Sequence, residues 1–273
     1  MTSVQFTKVV GPACVQDLGR VGQLALGLPL GGTMAPSRLR ALNFSIGNDP
    51  HAAGLEVFGS VTFEVTHATR FAVDGGPAER LEPGQSRTIT TDGQRLRILA
   101  LEGGIDVPSV LGGRGLLPHA RMGGHDGRWL RSGDVLPLGA LPGADGAHTP
   151  HEALPSTPHA ELLVPLFPGP DAHLLLYMEH IYGASFCLSR TSDRSGVRLE
   201  GPSIELVARE PGAPSLPLVP GAVQVPPNGL PIVLGPDHPV SGGYPVVAVV
   251  ARSALEPLFV APLGSTLRFV PSR

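Results

Sequence analysis

The residues best suited to catalysis lie in one short stretch near the C-terminus, PDHPVSGGYP, at residues 236–245. Asp237, His238 and Ser241 are the three side-chain types of a serine-hydrolase triad, in which histidine removes the proton of the nucleophile. Neighbours this close in sequence seldom form such a triad, and the chain has no GxSxG turn to present a nucleophilic serine. We therefore do not predict a self-sufficient hydrolase site in this stretch.

The elements that flank this stretch indicate what it is for. Apolar runs at residues 230–234 and 246–250 lie on either side of it and are predicted to be strands. A tight hairpin needs only two turn residues. A polar connection of this length is therefore either a loop with a function or a wide connection between sheets.

Composition predicts an all-β protein with a few short helices. The 273 residues are 42% hydrophobic, and the 36 glycines and 30 prolines punctuate runs rich in Val, Leu and Ile. The net charge of −3 gives no electrostatic basis for binding nucleic acid or an anionic membrane. The first residues, MTSVQFTKVVGPA, lack the apolar core of a signal peptide, so we expect a cytoplasmic protein.

The pattern of apolar segments predicts two β lobes. Residues 139–159 contain few bulky apolar side chains and many Pro, Gly, Ala and His, so we predict a linker at 141–160 between an N-terminal lobe (1–140) and a C-terminal lobe (161–273). Helices are predicted at 36–46 and, with Asp171 as its N-cap, at 171–183. Strands are predicted at 61–65, 70–73, 95–101, 162–167, 204–207, 232–234, 246–250 and 266–270.

The chain lacks the motifs of a cofactor-binding protein. Lys8 is the only lysine and two valines follow it, which excludes both a GxxxxGK[ST] phosphate loop and a biotinylated lysine. The histidines show no metal-ligand spacing, so we predict no metal site and interpret them as solvated. Cys14 and Cys187 have apolar neighbours and are interpreted as two buried thiols, with a disulfide left open.

Four stretches in collinear order resemble one protein family: CVQDLGRVGQLALGLPLGGTM at 14–34, LEGGIDVPSVLGGRG at 101–115, TSDRSGVRLEGPSI at 191–204, and VPGAVQVPPNGLPIVL with GGYPVVAVV within 219–250. The family is the biotin-dependent carboxyltransferase-like group that includes the C subunit of 5-oxoprolinase, the Kip antagonists, the proteins called allophanate hydrolase subunit 2, and the carboxyltransferase part of urea carboxylase. In VQDLGR we interpret Asp17 and Arg20 as an internal brace between the lobes.

The resemblance implies two cyclophilin-like β-barrel lobes that work inside a larger assembly. The implied partner is a Kip-inhibitor-like subunit, together with a LamB-type subunit in the 5-oxoprolinases, which use ATP to open pyroglutamate to glutamate. No cofactor would be bound covalently by this chain. ATP, or carboxybiotin in the urea carboxylase branch, would be supplied through the partner chains. The implied ligand is a small amide or lactam.

Recognition of an amide or lactam needs donors for its carbonyl, an acceptor for its N–H group and charge for any carboxylate. The matching motifs supply these groups, and Gly242 and Gly243 let backbone N–H groups approach a ligand. We predict a catalytic set that consists of Asp193, Arg194, Gln224 and Tyr244. We predict a substrate-binding set that consists of Asn228, Asp237, Gly242 and Gly243.

The same residues also permit purely structural interpretations. Asp193 and Arg194 could form a turn with a surface ion pair of little energetic value. Gln224 and Asn228 could satisfy backbone groups in turns, and Tyr244 could be a core aromatic with its hydroxyl at the surface.

The chain departs from the pattern of the family within these motifs. Where members often have Asp, Ser, Thr, Met, Glu and Lys, it has Ala35, Gly115, Leu116, Ser195, Leu216 and Val246. Losing polar groups weakens the prediction of catalysis. The alternative is a non-catalytic regulator of the Kip-antagonist type that sequesters a Kip-inhibitor-like partner.

Overall fold

The computed structural model describes residues 2–140, 161–177, 179–207 and 214–272. The chain divides into two compact units, one formed by Met1–Val21 with Gly31–Ser156 and the other by Gly22–Leu30 with Thr157–Arg273. The predicted linker at 141–160 lies outside the described residues. Gly22–Leu30 belongs to the second unit, although the predicted boundaries place it inside the N-terminal lobe.

The described part of the first unit is a pair of open antiparallel sheets, with strand orders β7-β4-β1-β9 and β2-β3-β8-β5-β6. No closed barrel forms among the described strands of this lobe, because the edge strands of each sheet do not pair with one another. The helix predicted at 36–46 is confirmed as α1 (Pro36–Ser45). The strands are β1 (Ser3–Val10), β2 (Ala13–Gln16), β3 (Gly54–Val57), β4 (Ser60–Val65), β5 (Thr69–Val73), β6 (Ala78–Leu81), β7 (Ser86–Thr90), β8 (Arg97–Leu101) and β9 (Val135–Pro137).

Side-chain alternation explains how these two sheets share one core. In β4, SVTFEV, the residues Val61, Phe63 and Val65 are buried and the intervening polar residues are not. Phe6 of β1 lies opposite Phe63 in the ladder. The Phe63 ring also meets Phe71 of the other sheet edge to face, with 5.6 Å between ring centroids.

The second unit contains a closed seven-stranded barrel in the order β10-β17-β14-β15-β12-β11-β18, which confirms the mainly β fold and barrel closure in this half. Parallel pairing of β10 with β18 closes the barrel. The strands are β10 (Leu162–Pro168), β11 (Ser185–Leu188), β12 (Gly196–Glu200), β13 (Leu216–Pro217), β14 (Ala222–Gln224), β15 (Ile232–Leu234), β16 (Ser241–Gly242), β17 (Val246–Val250) and β18 (Thr266–Pro271).

Helices in this unit differ from those predicted. The long helix predicted at 171–183 is wrong, because the described residues of that region form a 3-10 turn (Ala172–Leu174) and the short α2 (Glu179–Tyr182) with non-helical residues between them. A nine-residue helix, α3 (Arg252–Val260), was not predicted. Residues 204–207 form an isolated bridge rather than a strand. No helix within the described ranges is both long and apolar enough to span a bilayer.

The order of strands requires an unusual connection between β15 and β17. Both strands run antiparallel to β14, one on each side of it, so they are parallel to each other. The chain that joins them, residues 235–245, must therefore cross β14 from one end to the other. We call it the crossing segment. It contains the polar stretch from which the sequence argument began.

The carboxylate of Asp134 fixes the chain that enters β9 in the first unit. Asp134 accepts two hydrogen bonds of 2.8 Å from the guanidinium of Arg128 and a third, also 2.8 Å, from the backbone N–H of Arg131. These bonds, led by that of Arg128, hold the pKa of Asp134 below its usual range, against the opposing effect of burial.

We predict that Asp134→Asn lowers the free energy of unfolding by about 1–3 kcal/mol at pH 7, since it removes a largely buried, charge-assisted contact. A carboxyl with a lowered folded pKa stabilises above its unfolded value of about 3.9, and this contribution is lost as pH falls through the folded value. The difference between variant and wild type should shrink below pH ~4. Urea unfolding at several pH values measures both the loss of stability and its dependence on pH. The control is Glu82→Gln in the exposed Arg80–Glu82 pair, which should change stability by less than about 0.5 kcal/mol.

Candidate functional site

A buried ion pair anchors the crossing segment. The Nε and Nη2 atoms of Arg194 donate to the two carboxylate oxygens of Asp237 at 2.7 and 2.9 Å. The two side chains are only 5% and 1% exposed. Both donors are engaged with Asp237, so they can contact a substrate only if the pair opens. The interpretation of Arg194 as part of a surface ion pair with its neighbour is therefore wrong.

Backbone bonds join the same two segments. The carbonyl of Arg194 accepts from the N–H of Asp237 at 3.1 Å, and that of Ser195 accepts from the N–H of Gly235 at 2.9 Å. These bonds therefore hold the start of the crossing segment against the connection that leads into β12. Their side chains meet although 43 residues separate them in sequence.

Asp193 has a local role in this connection. It is exposed, and its Oδ1 accepts from the backbone N–H groups of Ser195 and Gly196 at 2.8 and 3.1 Å. This is an Asx turn, which positions Arg194. The side chain of Asp193 is directed to its own turn, whereas that of Arg194 is directed to the crossing segment.

Gln224 and Gly242 meet at the other end of the crossing segment. Gln224, 5% exposed, donates to the carbonyl of Tyr244 at 3.4 Å. A Cβ atom on Gly242 would lie 3.1 Å from Nε2 of Gln224 and 2.9 Å from Cδ1 of Leu218. A side chain at position 242 would therefore push the segment away from β14, which explains the glycine.

The remaining predicted binding residues lie at the surface. Tyr244 is 47% exposed, so the interpretation of its ring as a core aromatic is wrong. Gly243 is exposed as well. Asn228 is exposed and its Oδ1 accepts from the N–H of Leu230 at 3.1 Å, as its structural interpretation requires. The structure thus joins Arg194 with Asp237, and Gln224 with Gly242 and the backbone of Tyr244, and leaves Asn228 in a separate turn.

Two concavities of the described chain lie elsewhere. One, of about 320 Å³, is lined by residues 49–53 and 103–106 with Arg114 in the first unit. The other, of about 240 Å³, lies between β10 and α3 in the second unit. Neither is lined by a predicted site residue. Four of the predicted residues, Asp237, Gly242, Gly243 and Tyr244, therefore lie on an anchored, partly exposed segment.

Sequence reasoning missed the burial of His238. Its side chain is 1% exposed, Nδ1 lies 2.7 Å from the carbonyl oxygen of Pro239, and Nε2 is buried without a hydrogen-bond partner among the described residues. Burial lowers the pKa of this imidazole, while the bond to Pro239 and the charge of Asp237 act in the opposite direction. The interpretation of the histidines as solvated is therefore wrong for His238. Its polar sequence neighbours gave no signal of burial.

Asp171 is a second residue whose role was missed. The sequence predicts it as a helix cap, but its Oδ2 accepts from the N–H of Val246 at 2.8 Å, and its own N–H donates to the Val246 carbonyl at 3.0 Å. Asp171 thus fixes the point where the crossing segment ends and β17 begins.

The motif VQDLGR braces the first unit. The guanidinium of Arg20, 1% exposed, donates to the carbonyls of Val110, Gly113 and Gly115 at 3.0, 3.3 and 2.7 Å. Asp17 accepts from the N–H groups of Gly19 and Arg114. The predicted brace exists, but these bonds lie within the first unit.

The environments of the departures from the family pattern explain several of them. A Cβ atom at Gly115 would lie 2.5 Å from Oε1 of Gln16, and Leu116 is fully buried. Ala35 is also buried, just before α1. Leu216 pairs with Gly242 in the short β13–β16 ladder, and Ser195 lies in the Asx turn of Asp193.

Position 246 is the departure closest to the crossing segment. Val246 is 4% exposed and packs in an apolar cluster with Leu218, Ala222 and Leu234. A lysine ammonium confined to this cluster would be costly to bury. In this chain the cluster stabilises the crossing segment by apolar packing.

Cysteines and metal ligands provide no further site among the described residues. Cys14 and Cys187 are both free thiols, and Cys187 is only partly buried. Within the described ranges, no three His, Cys, Asp or Glu side chains are grouped so that they could hold a metal ion.

Comparisons with known proteins place this geometry in context. Residues 26–271 match the model of the family described as carboxyltransferase domain, subdomain A and B. The chain is 32% identical to the C subunit of the 5-oxoprolinase of Escherichia coli (strain K12) over 280 residues, which cover 94% of this chain and 87% of that protein. It is 29% identical to the protein of the same name from Haemophilus influenzae, over 97% of this chain and 90% of that one.

A solved structure shares the fold over almost the whole chain. The crystal structure of the urea amidolyase from K. lactis superposes with a TM-score of 0.90 at 25% identity, covering 99% of this chain. The chain spans only 19% of that protein. The same fold therefore occurs there as one part of a much longer polypeptide.

We predict that Asp237→Asn destabilises the protein by about 3–5 kcal/mol, because it removes the negative charge to which the buried Arg194 guanidinium donates two hydrogen bonds. The double variant Arg194→Met, Asp237→Leu should recover most of this loss, since apolar replacement of both partners removes the uncompensated charge.

Chemical denaturation of the two single variants and the double variant measures the coupling. The matched control is Asp193→Ala, which removes only an exposed turn contact and should cost about 1 kcal/mol or less. Equal losses for Asp193→Ala and Asp237→Asn would contradict the assignment of Asp237 as the anchor.

Proposed function

The chain belongs to the carboxyltransferase domain family (subdomains A and B), and we propose that it is the C subunit of a bacterial ATP-dependent 5-oxoprolinase that opens pyroglutamate to glutamate. The observation that carries the proposal is the alignment with the E. coli protein over 94% of this chain and 87% of that one. It is a carboxyltransferase-like member of the 5-oxoprolinase family of subunits.

The proposed division of labour follows from the motifs. A chain with one lysine and no phosphate loop has no means of its own to bind ATP through a Walker motif or to carry biotin. ATP, or carboxybiotin if the chain acts as the urea carboxylase relatives do, would then be handled by partner chains. We propose a Kip-inhibitor-like subunit and a LamB-type subunit as these partners, in an intracellular complex.

The proposed role of this chain is to bind and orient the lactam at the crossing segment. The exposed Tyr244 side chain and the backbone of Gly242 and Gly243 would contact the substrate. Gln224 sets the position of Tyr244 through the 3.4 Å bond to its carbonyl. The other residues that contact the substrate would be supplied by the partner chain.

Arg194 and Asp237 act as positioning residues in this proposal. Their pair fixes the start of the crossing segment, and Asp193 holds the turn from which Arg194 extends. Asn228 would lie at the rim. A rigid rim lowers the entropy lost when a small ligand binds.

A regulatory function is the second candidate, and the buried Val246 favours it. Replacing a family lysine by a packed valine removes a charge from the position that directly follows the segment proposed to contact substrate. A Kip-antagonist-type protein would bind a Kip-inhibitor-like partner without turnover. Purified chain that forms a stable complex with the Kip-inhibitor-like partner, while the assembled complex lacks pyroglutamate-dependent ATP hydrolysis, would select this alternative.

We predict that pyroglutamate-dependent ATP hydrolysis by the reconstituted complex needs this chain. Omitting it should reduce the rate to background, because the lactam-binding surface is then missing. Release of phosphate, measured with and without pyroglutamate, is the readout. Full activity of the partner chains by themselves would refute the proposal.

We further predict that Tyr244→Ala lowers kcat/KM for pyroglutamate by about tenfold or more, the loss expected for about 1.4 kcal/mol of binding in the transition state. Thermal stability should change little, because the ring is 47% exposed. The matched control is Tyr177→Ala, whose ring is 57% exposed and lies outside the crossing segment. Equal effects of the two substitutions would rule out a specific role for Tyr244.

A further inference from the structure

His238 lies near the start of the crossing segment, in a buried position that favours the neutral imidazole. The carbonyl oxygen of Pro239 can only accept, so the 2.7 Å contact assigns the proton to Nδ1. Nε2 then carries the lone pair. This atom is buried and has no partner among the described residues.

Burial disfavours a second proton on His238 more than the charge of Asp237 favours it. Asp237 precedes it in the segment, but both carboxylate oxygens are bonded to Arg194 from the connection that leads into β12. The net charge of this pair is zero. The β13 side contributes the apolar Leu218, whose N–H bonds to the Val240 carbonyl at 2.9 Å. Protonated Nε2 would therefore be a buried donor without an acceptor.

Leaving a charged donor unpaired in a buried position costs more than leaving a neutral acceptor unpaired. Nε2 is buried in the packed arrangement, so it reaches water when the segment moves out of that arrangement. The backbone bonds of Gly235 and Asp237 to the carbonyls of Ser195 and Arg194 hold it in place. Uptake of a proton by His238 is therefore linked to movement of the segment out of its packed position.

We propose that His238 makes the crossing segment acid-labile: uptake of a proton at Nε2 shifts residues 235–245 from the packed to an opened arrangement. For its effect on activity, the inference rests on the proposed function, because the segment carries Tyr244. The opening itself does not depend on that function.

The direction of the pH dependence follows from the difference in the pKa of His238 between the packed and opened arrangements. The pKa of His238 is lowered in the packed state, chiefly by burial, whereas a hydrated histidine has a value of about 6.5. The packed arrangement is then fully favoured above pH ~6.5 and loses stability as pH falls from there towards the lowered value. One proton is involved, so the opening equilibrium rises by up to about tenfold per pH unit.

Amide hydrogen exchange of the full chain alone, at pH 7.5, 6.5 and 5.5, tests the proposal without substrate or partner. Exchange rates are divided by the intrinsic rate at each pH. We expect the protection of the Gly235 and Asp237 amides to fall by up to about fivefold between pH 6.5 and 5.5. The amide of Leu130, bonded to the carbonyl of Ala13 in the first unit, should keep its protection.

His238→Asn removes the titration but keeps a donor where Nδ1 meets the Pro239 carbonyl. Its Gly235 and Asp237 amides should show protection independent of pH over this range. The control is His51→Asn, which removes an imidazole 74% exposed and should retain the wild-type profile. Protection that is flat in the wild type, or that falls equally in His238→Asn, overturns the proposal.

If His238→Asn does not fold, NMR titration of the His238 ring in the wild type decides the matter. A midpoint below 6.5, with exchange accelerating over the same pH range, supports the acid-labile segment. A midpoint at or above 6.5 overturns it. Neither result depends on catalysis, so an inactive complex would count against the proposed function alone.

Discussion

The crossing segment exists because two strands of the barrel are parallel to each other with a third between them. A connection across β14 cannot form ladder bonds with it, since both edges of β14 are already paired. It must be held by other means. The Arg194–Asp237 pair supplies the anchor at one end and Asp171 supplies it at the other, through the bond from Val246. Between them, Gly242 allows close approach to Gln224.

Buried ion pairs of this kind specify position more than they add stability. Desolvating two charges costs several kcal/mol per ion, roughly what their attraction returns. The first unit uses a buried cation in the same manner: Arg20 gathers the carbonyls of Val110, Gly113 and Gly115. In both units a guanidinium fixes a loop. The resemblance motifs VQDLGR and SDRSG are therefore loop anchors in this structure.

The sequence predicts what local patterns determine. The alternation in SVTFEV and the apolar run VVAVV each mark a strand, and the helix α1 ends where the sequence indicates. Partners distant along the chain are not encoded locally. Asp171 looks like a helix cap, but its carboxylate bonds to Val246, 75 residues away. Asp237 and Arg194 are 43 residues apart, and the burial of His238 depends on the fold around it.

The packing of Val246 bears most directly on what the second unit can contribute to a shared site. An ammonium at this position would have to leave the cluster of Leu218, Ala222 and Leu234, because a charge without a partner is not stable there. The chain has a valine at this position, and its side chain packs in that apolar cluster. Under the proposed function, polar contact with the lactam would come from the exposed Tyr244 and from backbone groups near Gly242 and Gly243. Groups of this kind would orient a small amide without activating it. In that proposal, activation comes from another chain of a multi-subunit complex.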